Sequence, residues 1–237
     1  MTGFGETLGQ ALWLILSGDA DLWAIILLSL RVSLTALAIA TLIGLPLGAA
    51  LAVGRFPGRR TVITIVSAMM GLPPVVVGLA VYLMLSASGP FGIFDLLYTP
   101  AAMIIAQVVL VTPIVAALSR QVIADLHTDL AEQLDSFGLR PLARIPTLLW
   151  EGRTSLMTVV LAGFGRAIAE VGAVIIVGGN INHVTRVMTT AIALETSKGN
   201  LTLALALGTV LITMAIAINA LVGVLGARAR SGVPAHA

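Results

Sequence analysis

Apolar residues run along this chain in blocks too long for the core of a soluble domain, and polar residues collect in the gaps between them. Phe4 to Ser17 places Phe4, Leu8, Leu12, Ile15 and Leu16 near one helical face before the turn Gly18-Asp19-Ala20-Asp21. That block is too short to cross a bilayer, so the pattern predicts an interfacial helix, with about residues 1–21 lying at the outer surface. Leu22 to Val53 is apolar apart from Arg31, and its uncharged part from Val32 onward is long enough to cross the hydrocarbon, roughly 33 Å at 1.5 Å per residue. The chain is uncharged again from Thr61 to Phe94, with Ser88-Gly89-Pro90 as the expected exit. Further spans are predicted at Thr99–Ser119, from Thr154 to about Gly178, and at Leu201–Gly226. The expected fold class is an all-α polytopic membrane protein of five transmembrane helices plus an amino-terminal interfacial helix.

Composition narrows the class further. With 58% hydrophobic and 10% charged residues and a mean hydropathy of +1.06, the 237 residues lie far from a soluble domain. The spans and their short loops use nearly all of the chain, so residues 1–237 are expected to form a single transmembrane domain. Cysteine is absent, which excludes disulfides and thiolate metal sites. The first cation is Arg31, so no basic region precedes an apolar stretch, and the first span is expected to act as its own targeting signal.

Where the cations sit matters more than the net charge of +2. Arg55, Arg59, Arg60, Arg120, Arg140, Arg144, Arg153, Arg228 and Arg230 fall after spans one and three and in the carboxyl tail. Opposite them lie only Arg31, Arg186 and Lys198, with Arg166 inside span four. The positive-inside rule then puts the amino terminus outside, and the carboxyl terminus and residues 120–153 in the cytoplasm. An odd number of spans agrees with that orientation, and the expected location is a plasma membrane.

The polar stretch from Gln121 to Gly152 is the long cytoplasmic segment of that topology. It reads as helix to about Phe137, a turn at Gly138, and a second, proline-punctuated piece through Leu149. Glycine permits the positive φ of a sharp turn, so a helix-turn-helix is expected here. No G-x-x-x-x-G-K-[ST] loop exists, and the single lysine, Lys198, is followed by glycine on the outer side. Gly163 and Gly165 make only a fragment of a dinucleotide fingerprint and, with Gly172, read as small residues for close helix packing. A membrane chain with such a polar segment and no nucleotide site of its own is expected to be the pathway half of a machine whose motor lies on another polypeptide.

Glu132 and Gly138, six apart, match the Glu-Ala-Ala, three residues, Gly pattern of the cytoplasmic loop in ATP-binding-cassette importer permeases, which the chain resembles at this point. Gln133 and Leu134 replace the two alanines, and Trp150-Glu151 stands where that family usually has Leu-Pro. The resemblance continues through Leu28-Ser29-Leu30-Arg31-Val32-Ser33, Gly71-Leu72-Pro73-Pro74-Val75-Val76-Val77-Gly78, and Gly163 to Ala173. Val177 to Ile181 and Thr185 to Thr196 are similar to tungstate permeases more than to molybdate or sulfate ones. The resemblance implies a type I importer permease (MetI-like) architecture, a pathway formed with a second copy of the chain, two ATPase subunits inside and an external substrate-binding protein. It also implies that ATP and magnesium bind the ATPase, that no cofactor binds this chain, and that Glu132, Asp135, Gly138, Leu139 and Arg140 couple to the motor. Tungstate is the expected cargo, with molybdate or sulfate as the alternative.

Within the membrane, Arg166 and Glu170 are four apart and share a helical face, and a charge at mid-bilayer costs at least about 2.5 to 3.5 kcal/mol if unpaired. Two readings stay open for them, a group beside the anion route and a structural ion pair. Pro73 and Pro74 remove amide donors inside span two and must break the helix there, tolerable only against protein or water. Gln107 must find a partner in another helix or water, while the hydroxyl of Thr112 can bond back to its own helix. Pro73, Pro74 and Gln107 are therefore pathway or gate candidates beside the pair. On the outer side Val184 to Thr196 reads as a short amphipathic helix, and Asn180, His183 and Arg186 are candidates for the outer mouth or for contact with the binding protein. His127 between Asp125 and Asp129 points away from both acids on a helix, so no metal site is expected.

Neither rival class finds support in the residues. A secondary transporter would ordinarily bury several ionisable groups, and an intramembrane protease needs paired acids or His-Glu-x-x-His. No catalytic residue, enzyme activity or nucleic-acid partner is expected, and membrane lipid is the surrounding solvent.

Overall fold

The computed structural model describes residues 4–231, and the side chains of Phe4, Arg228 and Arg230 lie outside the described set. All regular structure among the described residues is helical. In lipid this follows from the backbone, because an N–H or C=O without a partner costs several kcal/mol and a helix satisfies each one internally. The helices are α1 (Phe4–Leu16), α2 (Ala20–Val53), α3 (Arg59–Met69), α4 (Pro74–Leu85), α5 (Pro100–Asp129), α6 (Ala131–Ser136), α7 (Ile145–Glu151), α8 (Arg153–Ile168), α9 (Gly172–Gly178), α10 (Met188–Lys198) and α11 (Leu201–Ser231). Short 3₁₀ turns occupy Gly92–Phe94 and Pro141–Arg144.

Three helices are long and apolar enough to cross a membrane by themselves: Ala20–Val53, Pro100–Asp129 and Leu201–Leu221. The count reaches five only if α3 with α4, and α8 with α9, each make one span. The predicted second span is thus interrupted. Its helix stops at Met69 and restarts at Pro74, where the missing amide of proline costs nothing at a first turn. The restarted helix ends at Leu85, ahead of the expected exit. Pro46 in α2 and Pro113 in α5, by contrast, lie inside unbroken helices.

One other boundary differs from expectation. The third span was expected to end at Ser119, yet α5 continues to Asp129, because a helix leaving the membrane needs no apolar residues to keep its hydrogen bonds. The polar segment therefore begins within α5, which holds Gln121–Asp129, and the remainder of the stretch expected as helix to about Phe137 is the separate helix α6. Helix α1 forms over Phe4–Leu16 with much of its apolar face exposed. Thr7 and Ala11 are buried, whereas Leu12, Trp13 and Leu16 are exposed.

The chain forms two compact units that alternate along the sequence. The first comprises residues through Ala36, Pro73–Gln107 and Arg166–Ala217; the second comprises Leu37–Leu72, Val108–Gly165 and the residues from Ile218 on. In the first, Leu22, Met103, Val174, Met188 and Leu207 are fully buried, and α4 packs against α9. A Cβ at Gly78 would lie 2.7 Å from the Ala173 Cα, so only glycine permits that approach. Gly172 meets Val75 similarly, at 2.9 Å from its Cγ2. In the second unit, Gly163 faces Leu37, Val111 and Val115. Gly165, expected to serve the same purpose, has nothing within 4 Å of where a Cβ would stand, so no close approach there requires glycine. The carboxyl end of α2 is capped by Arg59, which donates to the Leu51 and Ala52 carbonyls at 2.8 and 3.0 Å.

Candidate functional site

The polar segment of the second unit is anchored by a small apolar core. Leu134 of α6 and Leu148 of α7 are buried with Ile123, Leu156, Ala49, Ala52 and Val53, and Leu130, Leu139, Ile145 and Leu149 pack against them. Leu130 and Leu134 reach that core because residues four apart share a helix face. Between α6 and α7 the chain reverses at Gly138, whose φ is +65° and whose N–H donates to the Asp135 carbonyl at 2.9 Å. Glu132, Asp135 and Arg140 point outward, and Leu139 is half-buried. Flanking the turn, Phe137 is 75% and Leu142 64% exposed. The result is a protrusion seated on that apolar core, with an apolar crest and charged flanks.

Arg144 ties the protrusion together. Its Nε donates to the Leu139 carbonyl at 3.0 Å, and one Nη donates to the Asp135 carboxylate at 2.6 Å. The Arg153 guanidinium lies 4.9 Å from the ring centre of Trp150, at the start of α8.

In the first unit, the break from Ala169 to Val171 between α8 and α9 gathers polar side chains. Arg166 and Glu170 form an ion pair there. The other carboxylate oxygen of Glu170 accepts the Ala173 N–H at 3.1 Å, which caps the start of α9. Breaking the helix frees carbonyls, and side chains take them up: Gln107 Nε2 donates to the Ala167 carbonyl at 3.1 Å, and the Thr189 hydroxyl to the Glu170 carbonyl at 2.8 Å. Gln107 Oε1 and the Thr112 hydroxyl are buried with no hydrogen-bond partner. Ser29, Ser33, Gln107, Glu170 and Thr189 line one small cavity at this break, about 10 Å³ in volume. The Pro73-Pro74 step belongs to the same unit, with the Pro73 carbonyl accepting the Val76 and Val77 amides to start α4.

The three outer candidates differ in their surroundings. Asn180, at φ +50°, holds Thr190 through its side-chain oxygen (2.9 Å) and donates to the Thr190 carbonyl (3.3 Å), so it braces the start of α10. His183 and Arg186 share a cavity of about 80 Å³ with Asp21 and Asn182. The His183 Nδ1 lies 4.0 Å from the Asp21 carboxylate, and the Arg186 Nε is buried without a partner. At the far end of α10, Glu195 is buried and accepts from Lys198 and Asn200 at 3.1 and 3.0 Å. Burial pushes its carboxyl up, but those hydrogen bonds and the charges of Lys198 and Arg186 outweigh it and hold the pKa below the ordinary value.

Comparison with known proteins decides the family. The chain is 40% identical over 225 residues to the "Probable anion ABC transporter permease protein" of Haloferax volcanii, covering 92% of this chain and 95% of the relative. It is 40% identical over 222 residues to the "Tungstate uptake system permease protein TupB" of Peptoclostridium acidaminophilum, covering 94% and 97%. The chain belongs to the permease subunits of anion ABC transporters. A second tungstate uptake permease, from Campylobacter jejuni, is 42% identical over 69% of the permease described here. A sulfate permease protein of Synechococcus elongatus stands further off, 27% identical over 72%. No family model matches the chain.

The permease is thus a transporter component and a multi-pass membrane protein. The break at α8–α9 joins Arg166, Glu170 and Gln107, all three named from sequence. Glu132, Asp135, Gly138, Leu139 and Arg140 cluster on the protrusion, in a separate unit from that break. Sequence reasoning missed Arg144, Leu134 and Leu148 of the protrusion and the exposed Phe137 and Leu142. The four-residue step from Leu130 to Leu134 was a readable signal for the apolar anchor. The Arg144 clamp has no such signal, because it joins a side chain to a backbone carbonyl five residues away through a turn.

Proposed function

We propose that this permease forms the pathway of an ATP-driven tungstate importer, as a homodimer with two ATPase subunits in the cytoplasm and an external binding protein that delivers the anion. The likeness to a tungstate uptake permease over 94% of the chain carries the cargo assignment. The protrusion centred on Gly138 supports the coupling role: Glu132, Asp135 and Arg140 offer charge, and Phe137 and Leu142 an apolar crest, to a cleft in each ATPase. ATP and magnesium belong to those ATPases. The distribution of arginines supports an outside amino terminus and a cytoplasmic protrusion. In the membrane, Arg166, Glu170, Gln107 and the Pro73-Pro74 break form the region that changes shape as the pathway opens. Outside, His183 and Arg186 lie at the mouth, and Asn180 braces the start of the helix that follows them.

The test is purification of the tagged permease from its native membranes in mild detergent, with and without Gly138→Pro. Proline cannot adopt positive φ, so the turn is lost. An ATPase that copurifies with the parent and not with the variant is the expected result; a permease that comes out alone and moves tungstate into vesicles without ATP overturns it. Competition of molybdate and sulfate against tungstate uptake by the reconstituted system then decides the cargo.

A further inference from the structure

We infer that Arg144 is the positioning residue of the coupling turn: its guanidinium sets the Gly138-Leu139-Arg140 reversal in the shape that meets the ATPase. This rests on the docking role proposed above and concerns how the docking surface is kept in form. The turn has little of its own to hold it. Gly138 sits at φ +65° with nothing within 4 Å of where a Cβ would be, so no side-chain packing fixes it. Local backbone bonds are the Gly138 N–H to Asp135 and the Ala143 N–H to Arg140, both 2.9 Å. Ordering a residue's backbone costs about 1–2 kcal/mol, and a glycine loses the most freedom.

Arg144 supplies the missing constraint from behind. Its side chain is 12% exposed, while that of its partner Asp135 is 68% exposed, so the guanidinium lies beneath the crest rather than on it. One planar group binds the end of α6 through Asp135 and the turn itself through the Leu139 carbonyl. A guanidinium does this because its donors diverge at fixed angles, whereas a lysine offers a single point of charge. Leu139 is simultaneously packed on the apolar anchor, so its carbonyl is held from both sides. Movement of the ATPase pushes on Phe137 and Leu142, and a stiff turn passes that push to α6 and α7 rather than absorbing it.

The experiment uses the complete transporter in vesicles, measuring ATP hydrolysis and tungstate uptake together for Arg144→Ala, Arg144→Lys, Asp135→Ala, the Asp135→Ala/Arg144→Ala double variant and Gly138→Pro. Losing a hydrogen-bonded charge at this turn is expected to lower uptake per ATP about fivefold or more in Arg144→Ala. The ATPase is expected still to copurify, Arg144→Lys to fall between, and the double variant to lose less than the two single losses combined, as coupled residues do. A parental ratio in Arg144→Ala, alongside loss of the ATPase in Gly138→Pro, overturns the positioning role and leaves the docking role standing. Retention of the ATPase and of coupled uptake in Gly138→Pro overturns both. Should Arg144→Ala fail to reach the membrane, parental ratios in Asp135→Ala and Arg144→Lys overturn the inference equally.

Discussion

Glu170 is bound by Arg166 on one carboxylate oxygen and by the Ala173 N–H on the other, so one buried side chain both neutralises a membrane arginine and starts α9. The two partners are unequally protected: the Glu170 side chain is 3% exposed and that of Arg166 36%. Removing the arginine strands a buried carboxylate, whereas neutralising the glutamate leaves an arginine that can turn toward polar surroundings. Arg166→Met should therefore destabilise the permease by about 3 kcal/mol, the low end for a broken buried pair because Arg166 is partly exposed. Glu170→Gln, which keeps an oxygen for the Ala173 N–H, should cost about 1 kcal/mol. Thermal unfolding midpoints in detergent compare them, and a larger loss in Glu170→Gln contradicts the ordering. Uptake measured on the surviving Glu170→Gln protein separates the two readings of the pair: unchanged uptake makes it structural, lowered uptake places it in the transport cycle.

The contact of Gly78 with Ala173 carries a second expectation. The Cα and carbonyl of Ala173 lie 2.7 and 3.1 Å from where an alanine Cβ would stand, and backbone cannot rotate aside as a side chain can. Gly78→Ala should cost about 1–3 kcal/mol by overpacking, despite the better helix propensity of alanine. Gly208→Ala in α11, with nothing within 4 Å, provides the contrast and should be neutral or stabilising. Unfolding midpoints of the two variants moving together would show that α4 and α9 do not approach as closely as described.

How far these features were legible from sequence depends on the distance over which each is determined. Long apolar runs such as those of α2 and α11 announce helices because lipid leaves the backbone no alternative. The break before Pro74 was readable because proline lacks an amide, and the turn at Gly138 because positive φ favours glycine. Pro46 and Pro113 carry the same chemistry inside continuous helices, so proline alone does not distinguish a break from a tolerated lost bond. Packing was less legible. Gly163, Gly165 and Gly172 looked alike, yet a Cβ would meet neighbours only at the first and third, because which side of a helix faces protein is set by the other helices. The bonds of Asn180 to Thr190 had no readable signal, because Asn180 lies in a turn before the helix that carries Thr190.

Glu195 sets a pH dependence outside the spans. Burial opposes its charge, but the hydrogen bonds from Lys198 and Asn200 and the nearby Lys198 and Arg186 prevail, so its folded-state pKa lies below that of the unfolded chain. A carboxyl with a depressed native pKa binds protons less readily when folded, so acid favours the unfolded state. Its stabilising contribution is complete above the ordinary glutamate range and is lost as the pH falls through the lowered native pKa. Helix α10 should accordingly loosen in acid and hold its protection at neutral and alkaline pH. Hydrogen exchange of residues 195–200 followed across that range measures this directly. Glu195→Gln retains an acceptor but cannot titrate, so its exchange should lose the acid-dependent step; an identical acid step in parent and variant would assign the titration to another group.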